Sequence, residues 1–265
     1  MSLPVLLAAL LACATALPAL AAPCGNTAAG FAQWKQDFAR DAATNGIGQR
    51  GLQALRQTQY STRTINADRN QKSFRLTLED FMRKRGADTI VAQGRQRKAR
   101  NAAFYSSLEQ HYGVPAGVLI AIHGMETGFG RFMGDANVLS AVATLAYDCR
   151  RPDFFTPHLT AAMALIDRGW ISPDTKGAMH GELGHTQFLP ANVVHYGVDG
   201  NGDGRVDMYD LSDALSSTAN YLREKGWRPG QAYQPGSHNF EVLKEWNAAS
   251  VYQQSLAIMG ARIDG

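Results

Sequence analysis

Several motifs that define common enzyme classes are absent from this chain of 265 residues. It contains no Gly-x-Ser-x-Gly nucleophile motif, no phosphate-binding loop and no dinucleotide-binding fingerprint. His123 and Glu126 do not form a His-Glu-x-x-His motif, and the spacings of His180, His185 and His195 do not place two zinc ligands on one helix face. The sequence therefore gives no support to a serine hydrolase, a zinc protease or a nucleotide-dependent enzyme.

Charged side chains are absent from residues 1–22. This segment has an apolar core at residues 5–11 and a small-x-small pattern at residues 19–21, which are typical of a secretory signal peptide. A membrane anchor is the alternative, but the apolar run is short for a spanning helix, and Cys13 lies in a poor lipoprotein signal. We predict a cleaved signal peptide at 1–22 and a mature domain at 23–265, periplasmic or secreted and without a lipid anchor.

Cysteine is scarce, with three in the whole chain. Removal of the signal peptide leaves Cys24 and Cys149, and two cysteines in an exported protein predict a disulfide bond. The alternative is a pair of free thiols. No Cys–His arrangement indicates a catalytic thiol.

The charge balance is slightly basic, with 26 Lys and Arg against 23 Asp and Glu. Basic residues cluster in the N-terminal half, at residues 83–85 and 95–100. Such clusters are usually a solvated face, but they also favour anionic polymers. Because export disfavours nucleic acid as a partner, we predict that the protein associates with the cell wall and its carboxylate-bearing peptides. We also predict that it is a monomer.

The mature chain is predicted to form one mainly α-helical domain, with few convincing strands. The predicted helices lie at residues 29–45, 48–58, 74–84, 87–111, 115–125, 137–147, 157–168, 190–197, 211–226 and 239–261, the last broken near Asn247.

Glu126 is the most informative residue because it ends a nearly unbroken apolar run at residues 118–125. Pro115 suits a first helical turn, so the run predicts a buried helix whose last residue is a carboxylate. Burial raises the pKa of a carboxyl group, which suits a proton donor near neutral pH. A capping or salt-bridged glutamate with a purely structural role is the alternative.

A second motif, residues 199–210, has the spacing of an EF-hand loop. Oxygen donors stand at its ligand positions, and Gly204 permits the sharp turn. Asp210 stands where glutamate is usual, which predicts weak binding of Ca²⁺ or another cation. A turn without a metal is the alternative. The predicted ligands are Asp199, Asn201, Asp203, the carbonyl of Arg205, Asp207 and Asp210.

Several ordered segments resemble the family B lytic murein transglycosylases, and the resemblance runs from about residue 24 to the C-terminus. They are residues 113–115 (Gly-Val-Pro), 124–130 (Gly-Met-Glu-Thr-Gly-Phe-Gly), 143–146 (Ala-Thr-Leu-Ala), 184–190 (Gly-His-Thr-Gln-Phe-Leu-Pro) and 217–222 (Ser-Thr-Ala-Asn-Tyr-Leu).

The resemblance implies a lysozyme-like core with additional helices and a small calcium-loop subdomain. It also implies cleavage of the β-1,4 bond between N-acetylmuramic acid and N-acetylglucosamine without water or a cofactor, leaving a 1,6-anhydro end. Glu126 would act as acid and then as base. The other implied substrate-binding residues are Gln187 and Tyr221 around the sugar and its N-acetyl group, Phe129, Phe188 and Trp246 as cleft walls, and Asn247.

The sequence departs from the family pattern at three positions. Ala178 and Ala249 replace serines of some relatives, which puts substrate affinity in doubt, and Glu182 stands where a small or apolar residue is typical. The alternative functions are a hydrolytic muramidase that uses water and a non-catalytic, calcium-stabilised wall-binding protein.

Overall fold

The computed structural model describes residues 23–70 and 76–265. The predicted signal peptide at 1–22 and the start of the helix predicted at 74–84 lie outside these residues. Within the described ranges the chain forms a short 3₁₀ helix, thirteen α-helices and one antiparallel pair of two-residue strands. The prediction of a mainly helical fold is therefore confirmed. None of the described helices has the length and hydropathy needed to cross a lipid bilayer.

The elements follow one another along the chain with short connections. They are the 3₁₀ helix (Ala28–Gly30), α1 (Phe31–Thr44), α2 (Gln49–Gln57), α3 (Thr62–Arg69), α4 (Leu78–Arg85), α5 (Ala87–Arg100), α6 (Ala102–Tyr112), α7 (Ala116–Thr127), β1 (Ala136–Asn137), α8 (Val138–Tyr147), α9 (Pro152–Arg168), β2 (Lys176–Gly177), α10 (Pro190–Tyr196), α11 (Leu211–Glu224), α12 (His238–Trp246) and α13 (Ser250–Asp264).

Two helix predictions differ from the structure, and one helix was not predicted. The helix predicted at 87–111 is two helices, because Asn101 leaves the helical region between α5 and α6. The helix predicted from 157 begins at Pro152, where proline suits the first turn, and continues through Pro157. The short polar helix α3 is absent from the prediction. Its start is set by Ser61, whose side chain accepts the N–H of Thr64.

Two apolar cores hold the helices together. In the larger core, α7 packs against α5 and α13, with residues of α6 and α11 around it. In the smaller core, α8 and α9 pack together and α1 and α2 cover them. Because α7 crosses the larger core, its whole sequence from Ala116 to Met125 is buried. That burial fixes the position of the residue at its C-terminal end.

The predicted disulfide between Cys24 and Cys149 is present in the structure. It ties the start of the described chain to the segment after α8, and Gly25 donates its N–H to the carbonyl of Tyr147 at 2.9 Å. The aromatic ring of Tyr147 contacts Phe31 and Trp34 of α1, so the bond closes a packed corner of the smaller core.

Candidate active site

Glu126 is the one residue of α7 that keeps partial exposure to solvent, while most of its side chain lies within the protein. The helix ends directly after it, because Gly128 adopts the left-handed conformation with φ of 57°. Thr127 fixes this end by donating its hydroxyl to the carbonyl of His185 at 2.7 Å. The carboxyl group is thus presented by a rigid, buried helix.

Two hydrogen-bond donors converge on the Oε1 atom of Glu126. The indole N–H of Trp246, at the end of α12, lies 3.1 Å from Oε1. The hydroxyl of Tyr252, near the start of α13, also donates to Oε1. Trp246 was predicted as a cleft wall, and the structure gives it this direct contact as well.

Burial raises the pKa of Glu126 above its usual value. The hydrogen bonds from Tyr252 and Trp246, and the positive charge of Arg85, act in the opposite direction, while the negative charge of Glu182 raises the pKa further. The net pKa is raised. A raised pKa keeps the proton on this carboxyl at a pH where an ordinary glutamate has lost it.

A cleft of about 250 Å³ opens on one side of Glu126. It brings together five of the six predicted substrate-binding residues, which are far apart in sequence: Gln187, Phe188, Tyr221, Trp246 and Asn247. Glu182, Leu189 and Asn192 complete the lining.

The sixth predicted residue, Phe129, lies elsewhere. It lines a second cavity of about 430 Å³ that shares Glu126 with the first cleft. Its ring is largely buried beneath the guanidinium of Arg97, 4.2 Å from the ring centroid. This second cavity has a basic lining that includes Lys84, Arg85 and Arg131. Glu126 therefore stands between a polar–aromatic cleft and a basic one.

Phe188, Tyr221 and Trp246 form one aromatic cluster beside Glu126. The centroid of Phe188 lies 6.0 Å from that of Tyr221 and 5.6 Å from that of Trp246. Tyr221 donates its hydroxyl to the carbonyl of Glu245 at 2.6 Å, and burial raises its pKa to about 12. The cluster fixes the orientation of the indole ring that reaches Glu126.

Gln187 occupies an unusual backbone conformation, with φ of 55°. Its side-chain amide donates to the carbonyl of Gly184 at 2.8 Å. A side chain on Gly184 would collide with the carbonyl oxygen of Met208, 1.8 Å from the position of a Cβ atom. The turn that carries Gln187 therefore packs closely against the C-terminal end of the loop at residues 199–210.

In the acidic loop, residues 199–210, side-chain oxygens accept hydrogen bonds from backbone N–H groups of the same loop. Asp199 accepts the N–H groups of Gly202, Asp203 and Gly204. Within residues 23–70 and 76–265, no group of three or more His, Cys, Asp or Glu side chains is arranged to hold a metal ion.

Two carboxylates close the acidic loop. Asp210, predicted as the last ligand, caps α11 by accepting the N–H groups of Ser212 and Asp213. Asp213, which sequence reasoning missed, is fully buried and accepts N–H groups from both ends of the loop, those of Gly200 and Asp207. Burial raises its pKa. Asp210 and Asp213 thus both hold the C-terminal end of the loop through backbone N–H groups.

Tyr252 is the functional residue that the site prediction omitted. Its position on a buried face of α13 looks like that of any core aromatic residue. Its contact with Glu126 depends on how α13 packs against α7, which local sequence does not encode.

A comparison with known protein families assigns most of the chain to one of them. Residues 30–236 match the family of the transglycosylase SLT domain. The chain belongs to this family. The match includes Glu126, Gln187 and Tyr221 but ends before Trp246 and Tyr252.

Individual members of the transglycosylase SLT family and solved structures give the same result. The chain is 37% identical over 123 residues to membrane-bound lytic murein transglycosylase B of Escherichia coli, an alignment that covers 46% of this chain and 34% of that protein. The chain thus matches about a third of that relative's length. SltB3 of Pseudomonas aeruginosa, in complex with NAG-anhNAM-pentapeptide, is similar with a TM-score of 0.81 and 27% identity, over 89% of this chain and 80% of that one.

The lytic transglycosylase Slt35 of Escherichia coli shares the fold. Its complex with calcium has a TM-score of 0.76 and 23% identity to this chain, over 86% of this chain and 92% of that one. The lysozyme-like lytic transglycosylase architecture that the sequence predicted is confirmed by these likenesses.

Proposed function

We propose that this protein is a peptidoglycan lytic transglycosylase. It cleaves the β-1,4 bond between N-acetylmuramic acid and N-acetylglucosamine and leaves a 1,6-anhydromuramic end. The observation that carries the proposal is Glu126, a carboxyl with a raised pKa at the end of a buried helix, facing a cleft and held by two donors. The complex of SltB3 with NAG-anhNAM-pentapeptide supports it, because an anhydro fragment is the product this reaction forms.

In the proposed reaction one carboxyl group serves twice. Protonated Glu126 gives its proton to the glycosidic oxygen as the C1–O4 bond breaks. The resulting carboxylate is stabilised by Tyr252 and Trp246 and then takes the proton of the muramyl 6-hydroxyl, whose oxygen forms the new bond to C1. Protons balance over the cycle, so the chemistry uses neither water nor a cofactor. This differs from glycosidases, which need a second carboxylate for water or for a covalent intermediate.

The cleft residues supply binding in this proposal. Gln187 and Asn247 offer amide groups to the sugar hydroxyls and the N-acetyl group. The aromatic cluster of Phe188, Tyr221 and Trp246 forms an apolar wall for the sugar ring. Phe129 would line the path of the glycan on the other side of Glu126.

The biological setting is part of the same proposal. The partner is the peptidoglycan glycan strand rather than nucleic acid, and the protein acts as an exported, periplasmic or secreted monomer. The complex of SltB3 with NAG-NAM-pentapeptide supports this partner.

We also propose that residues 199–210 hold a structural cation, Ca²⁺ above all. The side-chain oxygens of Asp199, Asn201 and Asp203 and the carbonyl of Arg205 are the hard donors that Ca²⁺ prefers. Asp213, buried against the loop, replaces Asp210 as the closing carboxylate. These oxygens accept backbone N–H groups and keep lone pairs for an ion, and an aspartate instead of the usual glutamate at the closing position makes its binding weak. The calcium complex of Slt35 supports this proposal.

Mass analysis of the products from purified peptidoglycan tests the main proposal. The expected products carry anhydromuramic ends. Products with reducing ends would indicate the hydrolytic muramidase instead. Binding to peptidoglycan without products would indicate the wall-binding protein.

A further inference from the structure

The active-site cleft contains a second carboxylate that the proposed reaction does not use. Glu182 lines the same cleft as Glu126, and the two charges interact. A transglycosylase needs no second carboxylate, because the attacking hydroxyl belongs to the substrate. The presence of Glu182 in this cleft therefore needs its own explanation.

The backbone around Glu182 is tightly held. The carbonyl of Glu182 accepts the N–H of Ala178 at 3.0 Å, and Gly181 makes the turn between them with φ of 87°. The next residue, Leu183, exchanges two hydrogen bonds with Phe188 of the aromatic cluster, at 2.8 and 3.1 Å. The hairpin thus fixes Glu182 relative to the sugar-binding wall.

His180 holds the carboxylate of Glu182 at both oxygens. The backbone N–H of His180 donates to Oε2 at 3.0 Å, and its Nδ1 atom lies 3.2 Å from Oε1. The opposite ring nitrogen, Nε2, lies 3.8 Å from Oδ1 of Asp68. His180 therefore lies between two carboxylates.

The charges continue away from the cleft in alternating sign. Asp68 is buried and accepts hydrogen bonds from the guanidinium groups of Arg150 and Arg151. Burial lowers the pKa of His180, but Glu182 and Asp68 outweigh burial and the pKa is raised. His180 in turn holds the carboxylate of Glu182 in place.

We infer that Glu182, held by His180, is a positioning residue for the catalytic proton, because its fixed negative charge keeps that proton on Glu126. The inference rests on the proposed transglycosylase function for its kinetic test. Two like charges in one cleft cannot both ionise freely, so an ionised Glu182 disfavours ionisation of Glu126.

The other groups facing Glu126 do not replace this effect. Tyr252 of α13 and Trp246 of α12 stabilise the carboxylate form, and so does Arg85 of α4 through its charge. Among the charged groups that the structure places around Glu126, Glu182 is the one that favours the protonated form.

The test is the pH dependence of kcat/KM in Glu182→Gln, measured from the release of anhydro products. The general acid must be protonated, so the rate falls as the pH rises through the pKa of Glu126. Removing the negative charge of Glu182 lowers that pKa. The basic limb of the profile, where the rate falls with rising pH, is therefore expected to move to lower pH by about one unit. Above the limb this is a loss of about tenfold in rate, while the rate at lower pH stays within a few-fold of wild type.

Two further variants separate charge from structure. Glu182→Asp keeps the charge and is expected to restore most of the basic limb. Glu241→Gln is the matched control, because Glu241 lies exposed on α12 and pairs with Lys244, and it should leave the profile unchanged.

A readout without turnover keeps this inference separate from the proposed function. The carboxyl of Glu126 can be titrated by carbon-13 NMR, with its signal assigned by its loss in Glu126→Gln. A lower pKa in Glu182→Gln supports the inference even if wild type releases no anhydro product, an outcome that would overturn the proposed function alone. An unchanged limb and an unchanged titration in a folded Glu182→Gln overturn the inference. Selective loss of reducing-end products in that variant also overturns it, because Glu182 would then be a base for water.

Discussion

Tyr252 and Trp246 both donate their hydrogen bonds to the same oxygen of Glu126, Oε1, rather than to Oε2. A carboxyl whose Oε1 accepts two hydrogen bonds carries its proton on the other oxygen. In the proposed reaction, the two donors therefore select Oε2 as the atom that gives its proton to the leaving sugar. They also stabilise the carboxylate that remains.

The first prediction concerns Glu126→Gln. The amide keeps the size of the side chain and cannot donate an acidic proton, so we expect a folded protein that has lost turnover by on the order of 10³-fold or more. The release of anhydro products measures the turnover, and circular dichroism measures whether the variant is folded. Activity within a few-fold of wild type would contradict the assignment, and an equal loss in Glu182→Gln but not in Glu126→Gln would transfer it to Glu182.

The second prediction concerns Tyr252→Phe. This change removes a donor that stabilises the carboxylate form of Glu126, so the pKa of Glu126 rises further. The basic limb of the rate profile should move to higher pH, opposite to the shift expected for Glu182→Gln. The maximal rate should fall by roughly tenfold, because the carboxylate formed after proton donation loses a hydrogen bond. A shift to lower pH would contradict the hydrogen bond.

The third prediction concerns the disulfide between Cys24 and Cys149. Its sequence separation is 125, and closing so long a loop stabilises the fold by about 3–5 kcal/mol. Reduction should lower the melting temperature of wild type, while Cys149→Ser should melt lower from the start and not respond to reductant. Two alkylatable thiols at these positions in protein purified from the periplasm would contradict the bond.

The fourth prediction concerns the acidic loop. If it binds Ca²⁺, the melting temperature should rise with the logarithm of the ion concentration above a dissociation constant on the order of 10⁻⁴ to 10⁻³ M. Asp203→Ala and Asp213→Asn should abolish this rise. Asp210→Asn should retain it, because Asp210 caps α11. A wild-type melting temperature that stays constant to several times that concentration would leave the loop as a turn without a metal.

The position of the proposed catalytic residue could be predicted from sequence because its signal is local. An apolar run that ends in one carboxylate at Glu126 defines a buried helix with a polar tip, and the structure has that helix. Tyr252 could not be found in this way, because its role arises from the packing of α13 on α7.

The remaining differences also have physical causes. The polar sequence of α3 lacks an apolar stripe, so its helical state depends on the cap at Ser61 and on tertiary contacts. At the acidic loop, Asp210 is the last position of the motif and Asp213 lies three residues beyond it, and sequence spacing alone does not tell which one turns inward. The structure distinguishes them because Asp210 occupies the N-cap of α11.

Where α7 crosses α13, Gly117 and Gly260 allow the two backbones to approach closely. A Cβ atom on Gly117 would lie 2.2 Å from the carbonyl oxygen of Gly260. Glu126 and Tyr252 lie toward the other end of the same crossing, roughly two helical turns away. The close approach at Gly117 and Gly260 therefore helps to set the angle between the two helices. We expect an alanine at Gly117 to separate the helices there and to move the hydroxyl of Tyr252 away from Glu126. The accuracy of the active site is set by a contact between two backbones that lies outside it.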